Sequence, residues 1–175
     1  MMFINGRGDV INEFLIQSKP DMTMFTGSSR VGEKLSKDLN GKIKIEGGGF
    51  NWKIINDVRD ENINLVLKQC DIDAYEFGGQ KCSAQSILFI KDEILKRYED
   101  CLFLHMARLA QEREHIPLLS IDNETISRHI ERLLQIKESR LLFGGRHNGL
   151  SMQSGYGSFS PTLIYLSLEQ ILEKD

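Results

Sequence analysis

The chain has 175 residues, of which 41% are hydrophobic and 27% are charged, a composition typical of a folded globular protein and not of a disordered one. A formal net charge of −3 gives no reason to expect nucleic acid or an anionic membrane surface as a partner. No apolar run approaches the roughly 20 residues that a membrane-spanning helix requires.

In the first part of the chain, short apolar segments alternate with helical patterns. The patterns predict strands at 2–4, 22–25 and 42–46 and helices at 10–17 and 28–39. Strands that alternate with helices are typical of βα units and a parallel sheet. The glycine run at 47–49 interrupts the alternation, and we place a domain boundary there, between residues 47 and 48.

The second part of the chain continues the same alternation. Its patterns predict strands at 52–55, 87–90, 140–143 and 161–166 and helices at 61–75, 92–111 and 123–136, with a short helical stretch at the end. The order of these segments predicts an α/β fold in two parts, residues 1–47 and residues 48–175. The four histidines have no metal-ligand spacing, so we expect no metal site.

A strand-to-helix turn at 25–32 is the first segment suited to chemistry. Gly27 permits a tight turn there, and Ser28 is a typical N-cap residue for the helix that follows. Backbone N–H groups at the start of a helix attract phosphate, which favours a cofactor site. An ordinary capped βα turn contains the same residue types, so the segment alone does not identify a ligand.

The second such segment is the glycine-rich turn at 78–85, which carries Cys82. A cysteine in such a turn is more accessible than one on a helix face, and the adjacent Lys81 supplies a positive charge that favours the thiolate. Cys70 and Cys101 lie in helical patterns, where we expect packing roles. The odd number and irregular spacing of these three cysteines argue against a disulfide framework and indicate a reducing compartment.

Three short motifs occur in order along the chain: Phe-Thr-Gly-Ser at 25–28, Glu-Gly-Gly-Gly at 46–49 and Gly-Gln-Lys-Cys at 79–82. In this combination the chain resembles the aldehyde dehydrogenase superfamily, which has Phe-Thr-Gly-Ser, Glu-Leu-Gly-Gly and Gly-Gln-x-Cys in the same order. It is most similar to the plant-type branch of 1-pyrroline-5-carboxylate dehydrogenases, through Phe-Thr-Gly-Ser-Ser-Arg-Val and Gly-Gln-Lys-Cys-Ser-Ala-Gln-Ser. The resemblance extends from Phe3 to the C-terminus.

The resemblance implies an aldehyde-dehydrogenase-like α/β fold. Residues 1–47 would be the C-terminal part of an NAD-binding Rossmann-type domain, and residues 48–175 part of the thiol-bearing catalytic domain with a parallel sheet. The implied reaction is the NAD(P)-dependent oxidation of an aldehyde to a carboxylic acid through a cysteine thiohemiacetal and thioester. The branch implies glutamate semialdehyde, the open form of 1-pyrroline-5-carboxylate, as the substrate, glutamate as the product and proline catabolism as the setting.

The resemblance also implies a role for each matching residue. Cys82 would be the nucleophile, its backbone N–H an oxyanion donor, and Glu46 the general base that activates the hydrolytic water. Ser83 would bind the substrate carboxylate. The residues that would bind the cofactor, NAD with NADP left open, are Gly27, Ser28, Gly32 and Gly47. Without the resemblance, Glu46 would be interpreted as a solvated carboxylate at the end of a strand.

Further expectations concern partners and completeness. The resemblance implies a small-molecule aldehyde as partner, no nucleic acid, no membrane, a homo-oligomer at full length and the mitochondrial matrix. The segment at 1–5 lacks the features of a signal or transit peptide, so the residues alone indicate the cytoplasm. Because the chain starts inside the cofactor-domain pattern and ends before the family's Glu-Ile-Phe-Gly-Pro motif, we expect an incomplete enzyme that forms little NADH by itself.

Three interpretations of the chain stay open at this point. It is an aldehyde dehydrogenase whose other segments lie on a longer reading frame or a separate chain, or it is a truncated, inactive relative with an interaction or structural role. A different thiol enzyme, such as an acyltransferase, is a third interpretation that no residue pattern recommends. The flanking coding sequence would distinguish the first two.

Overall fold

The protein is described by a computed structural model over residues 3–99, 118–147 and 155–173, and it divides into two compact units. Unit 1 is Met1–Gly49 and unit 2 is Phe50–Asp175. The strands are β1 (Thr23–Gly27), β2 (Ile43–Gly47), β3 (Asn51–Ile55), β4 (Gln85–Ile90), β5 (Arg140–Phe143) and β6 (Leu163–Tyr165). The helices are α1 (Gly8–Ser18), α2 (Ser29–Asp38), α3 (Ile63–Tyr75), α4 (described over 92–99), α5 (Asn123–Leu134) and α6 (Leu168–Leu172).

Unit 1 is a βαβ arrangement preceded by α1. Strands β1 and β2 are parallel, with a register that runs from Thr23 opposite Ile43 to Gly27 opposite Gly47. Helix α2 connects the two strands and buries Leu35 on the face that packs against them. The parallel pair predicted from the strand–helix alternation is therefore confirmed in this unit.

The strand predicted at 2–4 is wrong where the structure describes it, because Phe3 and Ile4 lie outside any strand. Phe3 is 86% exposed, and no strand in the described part of the chain pairs with it. An extended apolar segment becomes a strand only when a neighbour satisfies its backbone hydrogen bonds, and an apolar composition alone cannot supply that neighbour.

Unit 2 contains a second parallel pair, in which β3 and β4 are covered by α3. Its core is formed by Ile63 and Leu67 of α3 and Tyr98 of α4, with further apolar side chains packed around them. Leu67 is completely buried, as its position on the inner face of an amphipathic helix predicts.

The third strand pair departs from the predicted parallel sheet, because β5 and β6 are antiparallel, with Arg140 opposite Tyr165. Two described residues between these strands, His147 and Phe159, form an antiparallel bridge. Gly144 permits the change of direction after β5: its φ is +78°, and a Cβ atom there would lie 2.0 Å from the carbonyl oxygen of Pro161.

The predicted helices are confirmed wherever the structure describes them, with ends shifted by at most two residues. The start of α3 is shifted by two residues, because a 3-10 turn at Asp60–Asn62 precedes the helix. The predicted helix at 92–111 is confirmed over 92–99, and its remainder, including Cys101, lies outside the described residues. None of the helices in the described ranges is long and apolar enough to span a membrane.

Candidate active site

A hydrogen-bonded turn between α3 and β4 presents Cys82. After α3 the chain forms a 3-10 turn in which Phe77, Gly78 and Gly79 all have positive φ angles. Gly79 is required there, because its φ is +70° and a Cβ atom would lie 2.9 Å from the carbonyl oxygen of Ala74. The Ala84 N–H then donates to the Lys81 carbonyl over 3.0 Å and closes the turn. Cys82 lies in the middle of this turn and is exposed.

Asn51, the first residue of β3, connects this turn to the sheet through side-chain hydrogen bonds. Its side-chain amide nitrogen donates to the carbonyl oxygens of Cys82, over 2.8 Å, and Ala84, over 2.9 Å. The sequence analysis did not identify Asn51 as a functional residue. The available signal was an asparagine two residues after the glycine run at 47–49, and that signal does not specify a partner 31 residues away.

Gln80 holds the same turn from the other side. Its side-chain oxygen accepts hydrogen bonds from the N–H of Ser120, over 2.9 Å, and from the Ser120 hydroxyl, over 3.1 Å. Its amide nitrogen donates to the Leu118 carbonyl over 2.9 Å. The residues on both sides of Cys82 are thus attached to separate parts of unit 2, which restricts the motion of the turn.

Lys81 has a different environment from the one that the sequence suggests. Its ammonium group lies 2.8 Å from a carboxylate oxygen of Glu76 and 5.9 Å from the centre of the Phe77 ring. Because the carboxylate compensates the ammonium charge, the structure favours an anchoring role for Lys81 over the predicted activation of the thiol.

Cys70 provides the contrast to Cys82. It is completely buried on α3, which confirms the predicted packing role. Burial raises the pKa of its thiol, because an apolar environment disfavours the thiolate. Of the two cysteines that the structure describes, Cys82 is therefore the one that a solvent-borne electrophile can reach.

The carboxyl ends of β1 and β2 form the second candidate region, in unit 1. The register places Gly27 beside Gly47 and Thr26 beside Glu46, so the predicted general base and cofactor-binding glycines lie on adjacent strand ends. The Glu46 side chain is exposed. Ligands of open α/β sheets bind at this edge, where the parallel strands end.

The turn after β1 leads directly into α2. Ser28 occupies the N-cap position, as predicted, although its side chain makes no capping hydrogen bond. Two glycines keep the region narrow: a Cβ atom on Gly32 would lie 2.9 Å from Ile45, and one on Gly47 would lie 3.3 Å from the Ser29 hydroxyl. The backbone at the start of α2 is therefore close to both strand ends, a geometry suited to a phosphate group.

A cavity of about 360 Å³ lies at the opposite end of the β3–β4 pair from Cys82, beyond the carboxyl ends of these strands. Three of its charged residues have partners, since Arg97 pairs with Asp60 and Lys91 with Glu93. No cysteine is among its lining residues, so the turn around Cys82 is the better candidate for thiol chemistry. No group of three or more His, Cys, Asp or Glu residues within the described ranges could hold a metal ion.

Comparison with known proteins defines the class. The model of the aldehyde dehydrogenase family matches residues 1–169, so the chain belongs to that family. It is 44% identical to delta-1-pyrroline-5-carboxylate dehydrogenase 12A1, mitochondrial, of Arabidopsis thaliana, over 98% of this chain and 31% of that protein. It is 25% identical to a lactaldehyde dehydrogenase of Methanocaldococcus jannaschii, over 98% of this chain and 37% of that protein. The chain thus spans about a third of the length of these curated relatives.

Solved structures confirm the predicted fold class. Succinate-semialdehyde dehydrogenase from Burkholderia pseudomallei superimposes with a TM-score of 0.71 at 20% identity, over 92% of this chain and 34% of its own. Glyceraldehyde-3-phosphate dehydrogenase from Methanocaldococcus jannaschii, solved with NADP, superimposes with a TM-score of 0.67 at 22% identity, over 95% of this chain and 36% of its own. At these identities the similarity demonstrates an aldehyde-dehydrogenase-like fold.

Proposed function

We propose that this protein takes part in the NAD(P)-dependent oxidation of an aldehyde to a carboxylic acid, with Cys82 as the nucleophile. The observation that carries the proposal is an exposed cysteine in a turn fixed by hydrogen bonds on both sides, in a chain of the aldehyde dehydrogenase family. A fixed and accessible thiol suits covalent catalysis, because the reacting atoms must be held in register throughout the reaction.

Each chemical step has a residue assigned to it. The Cys82 thiolate attacks the aldehyde carbon, and the oxygen that becomes negative accepts a hydrogen bond from the Cys82 backbone N–H. Within the described residues that N–H has no other acceptor. A nicotinamide cofactor, when bound, supplies the two-electron acceptor that converts the thiohemiacetal into a thioester. Glu46 then takes a proton from water, and the resulting hydroxide attacks the thioester carbonyl. The C–S bond breaks, which regenerates the Cys82 thiolate and releases the carboxylic acid as the product.

The start of α2 fits the cofactor's phosphate groups. Gly27 and Ser28 lead into the positive N-terminal end of α2, and Gly32 and Gly47 keep side chains away from it. NAD is the proposed cofactor and NADP stays open, since related structures were solved with each: betaine aldehyde dehydrogenase from Staphylococcus aureus with NAD+, and the Methanocaldococcus jannaschii enzyme with NADP.

Glutamate semialdehyde is the proposed substrate and glutamate the product. The support is the 44% identity to the Arabidopsis delta-1-pyrroline-5-carboxylate dehydrogenase over 98% of this chain. Ser83, exposed beside the nucleophile, would bind the substrate carboxylate. The name of that relative also supports a mitochondrial location for the full-length enzyme. Homo-oligomerisation at full length stays a prediction.

The test measures two reactions of the purified protein, NADH formation from aldehydes and hydrolysis of the activated ester p-nitrophenyl acetate. Cys82→Ala is expected to abolish both, because each passes through an acyl group on this sulfur. Cys70→Ala is the matched control, since it removes a buried thiol and leaves the turn intact. Ester hydrolysis that persists in Cys82→Ala would contradict the assigned nucleophile, and a higher kcat/KM for short aliphatic aldehydes than for glutamate semialdehyde would contradict the assigned substrate.

A further inference from the structure

Two peptide planes flank Cys82, and each is fixed by a different hydrogen bond. The plane between Lys81 and Cys82 contains the Cys82 N–H, and its carbonyl accepts from the Ala84 N–H over 3.0 Å. The plane between Cys82 and Ser83 contains the Cys82 carbonyl, which accepts from the Asn51 side chain over 2.8 Å. Since peptide groups are planar, the two bonds together restrict φ and ψ of Cys82 and hence the direction of its Cα–Cβ bond.

An asparagine side chain has the donors that this position requires. A primary amide carries two N–H donors on one nitrogen, and here they meet the carbonyl oxygens of Cys82 and Ala84. A serine would supply one donor, and an aspartate would place a carboxylate against two carbonyl oxygens. The register between β3 and β4 shifts directly after Asn51, which pairs with Gln85, so the contact lies at the start of the ladder, where the turn joins the sheet.

We propose that Asn51 is a positioning residue for the nucleophile, which holds the Cys82 turn so that the thiol and the Cys82 backbone N–H act on the same substrate carbonyl. The proposal rests on the proposed function, because it concerns the geometry of acyl chemistry at Cys82. Asn51 itself does not contact the reacting atoms. Its effect is transmitted through the two peptide groups whose carbonyl oxygens it binds, those of Cys82 and Ala84.

Two reactions of the same sulfur separate positioning from simple accessibility. Acylation by p-nitrophenyl acetate passes through a tetrahedral oxyanion and depends on an aligned N–H donor. Alkylation by iodoacetamide displaces iodide directly and develops no oxyanion, so it depends on thiolate content and access. Both rate constants are measured for Cys82 by mass spectrometry, and labelling of the buried Cys70 reports any loss of the fold.

The variants are Asn51→Asp, which reverses the polarity of the contact, and Asn51→Leu, which removes the donors without adding a charge. Acylation is expected to fall by roughly 10- to 10²-fold, the loss typical of a misplacement of up to about 1 Å. Alkylation of Cys82 in Asn51→Leu is expected to stay within about twofold of the unmodified protein, with an unchanged pH profile. The carboxylate of Asn51→Asp disfavours the nearby thiolate and slows both reactions together, so in that variant the readout is the ratio of the acylation rate to the alkylation rate. Asn62→Asp is the matched control, because this exposed asparagine gains the same charge and its side chain makes no capping bond.

Three outcomes would overturn the proposal. Acylation that is unchanged in both variants would show that the turn keeps its geometry without Asn51. A parallel fall of acylation and alkylation in Asn51→Leu would show that accessibility, and not alignment, was lost. If Cys82 of the unmodified protein is alkylated but never acylated, the proposed function itself fails and the positioning role fails with it. The first two outcomes leave the proposed function standing.

Discussion

Units 1 and 2 differ in how they cover their apolar side chains. In unit 1, α1 buries none of its residues, and Met24 on β1 is 80% exposed. In unit 2, Leu67 is completely buried in a cluster that draws on both α3 and α4. Both units contain a parallel strand pair with a helix on it, so the difference lies in the second layer of packing.

The contrast shows how much of a parallel strand pair one helix can cover. A parallel sheet is normally covered on both faces, and one helix covers one face. Unit 2 adds α4 to α3, and this packing supports the sheet from which Asn51 reaches the Cys82 turn. The proposed nucleophile, Cys82, thus lies in the better-packed unit, in accord with the general need of a reacting group for a rigid support.

Truncation of side chains in the two units is the strongest test of this comparison. Leu67→Ala in unit 2 is expected to lower the free energy of unfolding by about 2–5 kcal/mol, because it leaves a cavity in a completely buried site. Phe14→Ala on α1 removes a side chain that is 62% exposed, and it should change the free energy of unfolding by less than about 0.5 kcal/mol. Urea denaturation followed by circular dichroism measures both. Equal losses would mean that α1 has a buried face and that the contrast between the units is wrong.

Cysteine labelling sharpens the comparison within unit 2. Iodoacetamide is expected to modify Cys82 faster than Cys70 by about tenfold or more, since an opening step that costs about 1.4 kcal/mol already slows Cys70 tenfold. The raised pKa of the buried Cys70 thiol acts in the same direction. Peptide mapping by mass spectrometry gives both rates. Faster modification of Cys70 would contradict both the packing of unit 2 and the choice of nucleophile.

The smallest expected effect comes from one ion pair in each unit. Lys53, by its hydrogen bond, lowers the pKa of Asp73 in unit 2, and Arg7 does the same to Asp9 in unit 1. A lowered pKa means stability that is complete above the ordinary Asp value of about 3.9 and is lost as the pH falls through the lower folded value. Asp73→Asn should therefore lower the Tm at pH 7. The difference in Tm between Asp73→Asn and the unmodified protein should shrink as the pH falls through the lowered pKa of Asp73.

Asp9→Asn is the matched variant for this measurement. The Arg7–Asp9 pair is more exposed than the Lys53–Asp73 pair, so solvent screens it and its Tm difference should be close to zero throughout. Melting curves recorded between pH 3 and pH 7 compare the two variants directly. A larger effect for Asp9→Asn would reverse the expected order of the two units.

Local patterns predicted the fold where neighbouring residues determine it. The spacing of apolar residues located the described helices and the strands from β1 to β6, and glycine runs located the turns at Gly79 and Gly144. The pattern was wrong at Phe3 and Ile4, because a strand needs a partner that these residues do not specify. It also missed that β5 and β6 are antiparallel, which depends on how the chain between them folds back.

The sequence by itself determined the family, the alternating α/β order and the candidate residues Cys82 and Glu46, because short motifs and periodic spacing are local properties of the chain. Only the tertiary structure decided what surrounds the proposed nucleophile, Cys82. It paired Lys81 with Glu76 and brought the Asn51 amide to the carbonyl of Cys82, 31 residues along the chain. A hydrogen bond between such distant residues leaves no periodic trace in a single sequence, because it depends on the pairing of β3 with β4.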